Sequence, residues 1–153
     1  MLADPRIDPR LSRDVASAEA CKLTAYLDTL GHWTIGYGHE LPAPAPGRSW
    51  EGFSITQDVA DRYFLGDLIS AWQFAQRLPE WSKLDTPCRQ NALVEICFNM
   101  RNKWNGFVDT RKAIEDQNWQ GVHDGLLNSR WAIEVVTRAT RIANYFLKGE
   151  YPV

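Results

Sequence analysis

The chain has 153 residues, 44% hydrophobic and 24% charged, with a formal net charge of −2. That length holds one domain with a real core, or two small lobes sharing a helix, and the composition excludes intrinsic disorder. Lys and Arg number five against seven acids over residues 1–56, three against five over 57–85, and nine against seven over 86–153, which is too little positive charge for a nucleic-acid protein and allows only weak steering toward an anionic polymer.

No apolar run approaches the roughly 20 residues of a membrane crossing, so no membrane insertion is expected. The N-terminal MLADPRIDPRLSRD is polar and proline-broken rather than a secretory signal, and accumulation in the cytosol is expected. Cys21, Cys88 and Cys97 cannot all pair within one chain and lack a metal-binding spacing. Reduced, mostly buried thiols are expected, and no neighbouring base marks Cys21 as a nucleophile.

In chain order, Ile7, Leu11, Val15 and Ala18 predict a helix that Pro5 and Pro9 confine to about residues 9–20. Its last turn would carry Glu19, and a helix end is a stiffer platform than a loop. After Cys21 the alternating, glycine-punctuated run predicts short strands near 24–28, 32–36 and 53–55, with Gly31 in a turn and Gly36 and Gly38 where backbones approach closely. His32 and His39, seven apart, are wrongly spaced for paired zinc ligands on a strand; a structural hydrogen bond or ion pair is expected of His39. The stretch LPAPAPGRSWEGFS, residues 41–54, predicts a stiff extended loop that Trp50 and Phe53 could anchor.

Thr56 caps a predicted long helix that runs to about Leu78, where Pro79 stops it. Val59, Tyr63, Ile69, Trp72 and Leu78 share one broad face, widened by Phe64, Leu68 and Phe74. Thr86 and Pro87 open a second helix ending near Arg101, with Ala92, Leu93, Ile96, Cys97 and Met100 as its buried stripe. Helices follow at about 107–116, 119–127, 130–134 and 137–148, with Gly149 after the last.

The stretch from Glu19 to His39 concentrates chemistry: two carboxylates, the Thr34 hydroxyl among three threonines, three glycines and two histidines. Hydrolysis of a glycosidic bond needs one carboxyl group that gives a proton to the leaving oxygen and a second that acts from the opposite side. Glu19 and Asp28 supply the pair. Asp28 and Thr34, six residues apart across the Gly31 turn, can project into one space and hold a water. Trp33, lying between them in sequence, is the best candidate for stacking on a sugar, whereas Trp72, Trp104, Trp119 and Trp131 are expected in the core.

Glu19, Leu23, Ala25, Tyr26, Asp28, Gly31, Thr34, Ile35, Gly36, Gly38 and His39 together resemble the active-site signature of phage lysozymes of the T-even type, glycoside hydrolase family 24. NALVEICFNM, GFVDTRKAIEDQNWQGV and NSRWAIEVVTRATRIANYFLKGEY resemble successive helices of that family's C-terminal lobe, so the resemblance covers nearly the whole chain. It implies an α+β, mostly helical, lysozyme-like fold: a small β-hairpin lobe over about 1–56, a connecting helix over about 57–78 and an all-helical lobe over about 80–153.

The resemblance also implies roles. Glu19, Asp28 and Thr34 would be catalytic; Phe98, Asn99 and Thr110 would line the sugar cleft; Arg138 would approach Glu19 from across it; Glu40 is a rim candidate; and Asp67 would partner His39. No metal or cofactor is called for. The expected activity is hydrolysis, with inversion, of the bond between N-acetylmuramic acid and N-acetylglucosamine in bacterial peptidoglycan. The enzyme would be a monomeric endolysin made in the host cytoplasm, reaching the periplasm and wall through a separate holin. A lytic transglycosylase acting on the same bond and an inactive wall-binding module are the alternatives. Ala20 and Arg101 depart from the family, standing where glycine is common, and the loop at 41–54 is divergent.

Overall fold

The computed structural model describes residues 2–153, and the chain divides into two compact units, one ending at Ile69 and the other spanning Ser70–Val153. The class is α+β and mostly helical, as expected, with seven α-helices and one small antiparallel sheet among the described residues.

In the first unit, α1 (Pro9–Ala18) starts where the Asp8 carboxylate accepts from Arg10 N and Pro9 takes an N-terminal position that needs no donor. Leu11 and Val15 are its buried face. The helix stops at Ala18, short of the expected boundary. Glu19 is extended (φ −107°, ψ 124°) and is the C-cap, its N–H donating to Val15 O at 3.1 Å. Its side chain therefore leaves from the junction between α1 and β1 (Lys22–Leu27) rather than from within a helical turn.

β1 pairs with β2 (Trp33–Gly36), and β2 with β3 (His39–Glu40), all antiparallel. The third strand is thus His39–Glu40 and not the predicted 53–55 segment, which makes a single bridge from Ser54 to Thr24 with the two hydroxyls 2.9 Å apart. A two-residue strand has no alternation to read. Gly38, at φ 76°, turns the chain into β3, and a Cβ built on it would lie 3.3 Å from Glu19 Oε2. Glycine is required there twice over, for its backbone conformation and for the carboxylate that it passes.

The loop after β3 is pinned as anticipated. Trp50 Nε1 donates to Pro42 O at 2.8 Å, and its ring sits 5.0 Å from that of Phe53. Backbone bonds from Ala25 N to Phe53 O and from Ile55 N to Leu23 O tie the loop's end to β1. α2 (Gln57–Gln76) then begins with Thr56 Oγ1 accepting from Val59 N. Its Ala60, Phe64 and Leu68 are buried. His39 Nδ1 lies 2.8 Å from Asp67 Oδ2, the partner expected for it, and the imidazole stacks on Tyr63 at 4.3 Å.

In the second unit, α2 ends at Gln76 and a 3-10 segment covers Pro79–Lys83. Its Glu80 is fully buried; burial disfavours the carboxylate, but Arg111 and the Trp104 indole donate to it and hold its carboxyl below the usual range. α3 (Pro87–Met100) opens on the Thr86 cap, and the expected stripe is buried together with Val94 and Glu95, so this helix is enclosed on more than one face. Arg101 ends it at φ 46° and a second 3-10 segment follows to Gly106.

α4 (Val108–Glu115), α5 (Trp119–Leu127), α6 (Arg130–Glu134) and α7 (Val136–Lys148) fall where the sequence places them, to within one residue at each end. α5 packs on α4 and α7, and α3 on α7. Trp104 and Trp131 are buried as expected, whereas Trp72 and Trp119 are half-exposed. Arg89 closes the end of α7: it donates to Phe146 O and Leu147 O, pairs with Asp85 at 2.9 Å and lies 4.1 Å from the Trp119 ring. Those carbonyls lack partners within their own helix, so this buried guanidinium satisfies a helix end.

None of the three cysteines is in a disulfide. Cys88 and Cys97 are buried, and burial pushes the Cys97 thiol up to about 12. Cys21 is half-exposed, beside Gln57.

Two stability changes follow. Arg101→Gly relieves a positive-φ strain worth roughly 1–3 kcal/mol, less the entropy glycine gains in the unfolded chain, and is expected to raise unfolding stability by about 1 kcal/mol in urea titration. Gly38→Ala is expected to lower it by about 1–2 kcal/mol in the same measurement; an unchanged midpoint would show that the turn into β3 and the Glu19 carboxylate readily give way.

Candidate active site

The site in the first unit grows from one turn. Asp28 follows β1, and its Oδ1 accepts from Leu30 N at 2.9 Å and His32 N at 2.8 Å. Its backbone N–H donates to His32 O, and Gly31 N donates to Asp28 O, closing the hairpin. An aspartate that accepts from backbone amides just after itself is the usual chemistry of such turns. The His32 amide is the largest influence; burial, the next, opposes it, and the Leu30 amide joins His32 in holding the carboxyl below its ordinary 3.8. Asp28 is therefore an anion at neutral pH.

Strand alternation decides what joins it. Tyr26 pairs with Thr34, and Thr34 with Glu40, so these three residues share one face. Trp33 pairs with Leu27 and its side chain belongs to the opposite face. The aromatic that looked best placed for sugar stacking is thus turned away from Thr34, because adjacent strand residues point to opposite sides. Thr34 is 5% exposed, and its Oγ1 donates to His32 O at 3.0 Å. With its proton so engaged, the hydroxyl offers lone pairs.

Tyr26 lies within electrostatic reach of both carboxylates. Its phenol is raised first by burial and then by the negative charges of Glu19 and Asp28. Lys22 Nζ lies 4.3 Å from the centre of its ring. Glu19, half-buried at the end of α1, thus shares an electrostatic neighbourhood with Asp28. Glu40 is exposed, and His32 sits between it and Asp28, with Nδ1 3.6 Å from Glu40 Oε1 and 3.8 Å from Asp28 Oδ2.

Tyr26 and His32 are the residues to which the sequence assigned no role. For Tyr26 the signal was available: it stands two positions before Asp28, on the same side of a strand. For His32 the pairing of β2 with β3 is needed, and a two-residue strand leaves no pattern in the sequence.

The second unit carries the other candidates. Phe98 and Asn99 are half-buried near the end of α3. Asn99 Oδ1 accepts from Trp131 Nε1 at 2.7 Å, and both line a cavity of about 520 Å³ with Lys103, Phe107, Arg130 and Glu134. Thr110 is 5% exposed and faces α5, since a Cβ on Gly125 would come within 2.5 Å of its Oγ1. Arg138 is 6% exposed and donates from Nε to Glu95 Oε2 at 2.8 Å, while Arg141 donates to both oxygens of the same buried carboxylate.

A protein family and a curated relative match this chain. The family model described as phage lysozyme matches residues 16–138, which include Glu19, Asp28, Thr34 and the whole sheet. A curated relative, the peptidoglycan hydrolase gp36 of Pseudomonas phage phiKMV, is 27% identical over 128 residues, covering 83% of this chain. The chain spans 14% of that relative's own length. The match over four-fifths of its residues shows that this chain belongs to the phage lysozyme family.

Proposed function

We propose that the chain is a muramidase that hydrolyses the β-1,4 bond between N-acetylmuramic acid and N-acetylglucosamine in peptidoglycan, with inversion at the anomeric carbon. The observation that carries the reading is the unlike pair of carboxylates around Tyr26: Asp28, held ionised by backbone amides, and Glu19, on the cap of α1. Family membership and the name of the phiKMV relative support the choice of polymer.

In this mechanism Glu19 gives its proton to the glycosidic oxygen as the bond from that oxygen to C1 breaks. A water donates one hydrogen bond to Asp28 Oδ2 and the other to Thr34 Oγ1, which leaves a lone pair directed at C1. As the water oxygen bonds to C1, its proton passes to Asp28 and the configuration inverts. In the second unit Asn99 and Phe98 contact the wall polymer, while Thr110 and Arg138 are buried among its helices; in the first unit the exposed Glu40 also contacts it. The enzyme acts as a monomeric endolysin without a cofactor, and a separate holin admits it from the host cytoplasm to the periplasm.

Mass spectrometry of muropeptides released from purified peptidoglycan tests the reading. The intact protein is expected to give reducing-end muramic acid products, and Glu19→Gln and Asp28→Asn each to lower the rate by about 10²–10⁴-fold, the usual contribution of a positioned acid or base. Asn keeps an acceptor for the Leu30 and His32 amides, so the second change tests charge rather than the turn. Anhydro-sugar products would move the chain to the transglycosylases, and no product from any variant would leave a wall-binding module.

The Asp28 environment sets a pH expectation of known sign. A carboxylate whose charged form is favoured keeps its charge on acidification until the pH falls below its ordinary value. The side-chain carbon of Asp28 is expected to titrate below 3.8 in NMR, and a midpoint above that value would contradict a base held ionised by the turn.

A further inference from the structure

Asp28 spends one oxygen on the turn and keeps the other for chemistry. Oδ1 accepts from two backbone amides, whereas Oδ2 faces the His32 ring at 3.8 Å, within ion-pair range but beyond a hydrogen bond. The same ring's Nδ1 lies 3.6 Å from Glu40 Oε1. The His32 side chain is 54% exposed, so small rotations toward either carboxylate are open to it. The charged groups around it are Asp28 from the turn and Glu40 from β3, with Glu19 and Lys22 farther off beside Tyr26. Among the described residues no group of three acids, histidines or cysteines is arranged to hold a metal, so this trio is not a cation site.

We propose that His32 is a proton-controlled positioning residue that governs whether Asp28 Oδ2 is available to the attacking water. This inference rests on the reading of Asp28 as the base. With a proton on both ring nitrogens, His32 is a cation whose Nδ1–H faces both carboxylates; it competes with the water for Oδ2 and makes Asp28 a poorer base. Once it loses a proton to solvent, the charge that draws it to Asp28 is gone and Oδ2 is released to the water. The backbone N–H of His32 keeps its bond to Oδ1 in both states, so the turn persists while the second oxygen is blocked or freed.

The test compares the intact protein with His32→Gln, never charged, and His32→Lys, always charged, measuring kcat/KM on soluble peptidoglycan fragments. The two pH values, about 5.5 and 7.5, bracket the range in which histidine side chains change charge. Both substitutions keep the backbone amide and lie on an exposed side chain, and circular dichroism verifies that they fold. Taking ratios to the intact protein at each pH cancels pH effects common to all three proteins. The intact protein is expected to track His32→Lys at the lower pH and His32→Gln at the higher, so that its rate relative to His32→Gln rises roughly threefold or more across the interval. Ratios that stay flat would overturn the proposal while leaving the muramidase reading intact. Absence of reducing-end products from the intact protein would overturn both.

Discussion

The pair of hydrogen bonds that Asp28 Oδ1 accepts from Leu30 and His32 sets the geometry of everything around it. Closing the turn fixes the register of β1 on β2, register fixes which side chains share a face, and that face gathers Tyr26, Thr34 and Glu40. The same two amides keep the carboxylate charged. Structure and ionisation thus have one origin. A slip of one residue would carry Thr34 to the far side of the sheet and bring Trp33 round in its place.

The helical unit is organised differently. Its interior holds two carboxylates, Glu80 at 0% and Glu95 at 1% exposure, each gripped by arginine from later helices. Removing such charges from water costs about as much as their pairing returns, so they add less to stability than the aliphatic residues around them. What they impose is order. A buried anion left without its arginine is strongly unfavourable, which penalises alternative packings of helices whose apolar faces are otherwise interchangeable.

How far the sequence reveals this depends on the range over which each signal acts. Helices α3 to α7 were legible because caps, prolines and apolar spacing are local, as with Thr86 before Pro87 and Gly149 after Lys148. β3 escaped notice because two residues have no period, and the 3-10 segment at 101–106 because Arg101 takes a backbone conformation that favours glycine. Glu19, Asp28 and Thr34 could be picked out from their spacing and resemblance. The partner of Glu95 could not, because no local pattern joins residue 95 to residues 138 and 141, nor could His32, whose position has meaning only once Glu40 lies beside it.

The cysteines carry a practical consequence. Two are sealed in the interior and a third is half-exposed, two residues beyond Glu19. Thiol-selective reagents should therefore label the native chain at a single place without prior removal of the other sulfurs. A small fluorophore on Cys21 would sit two residues along the chain from Glu19 and report changes in its surroundings as a change in emission.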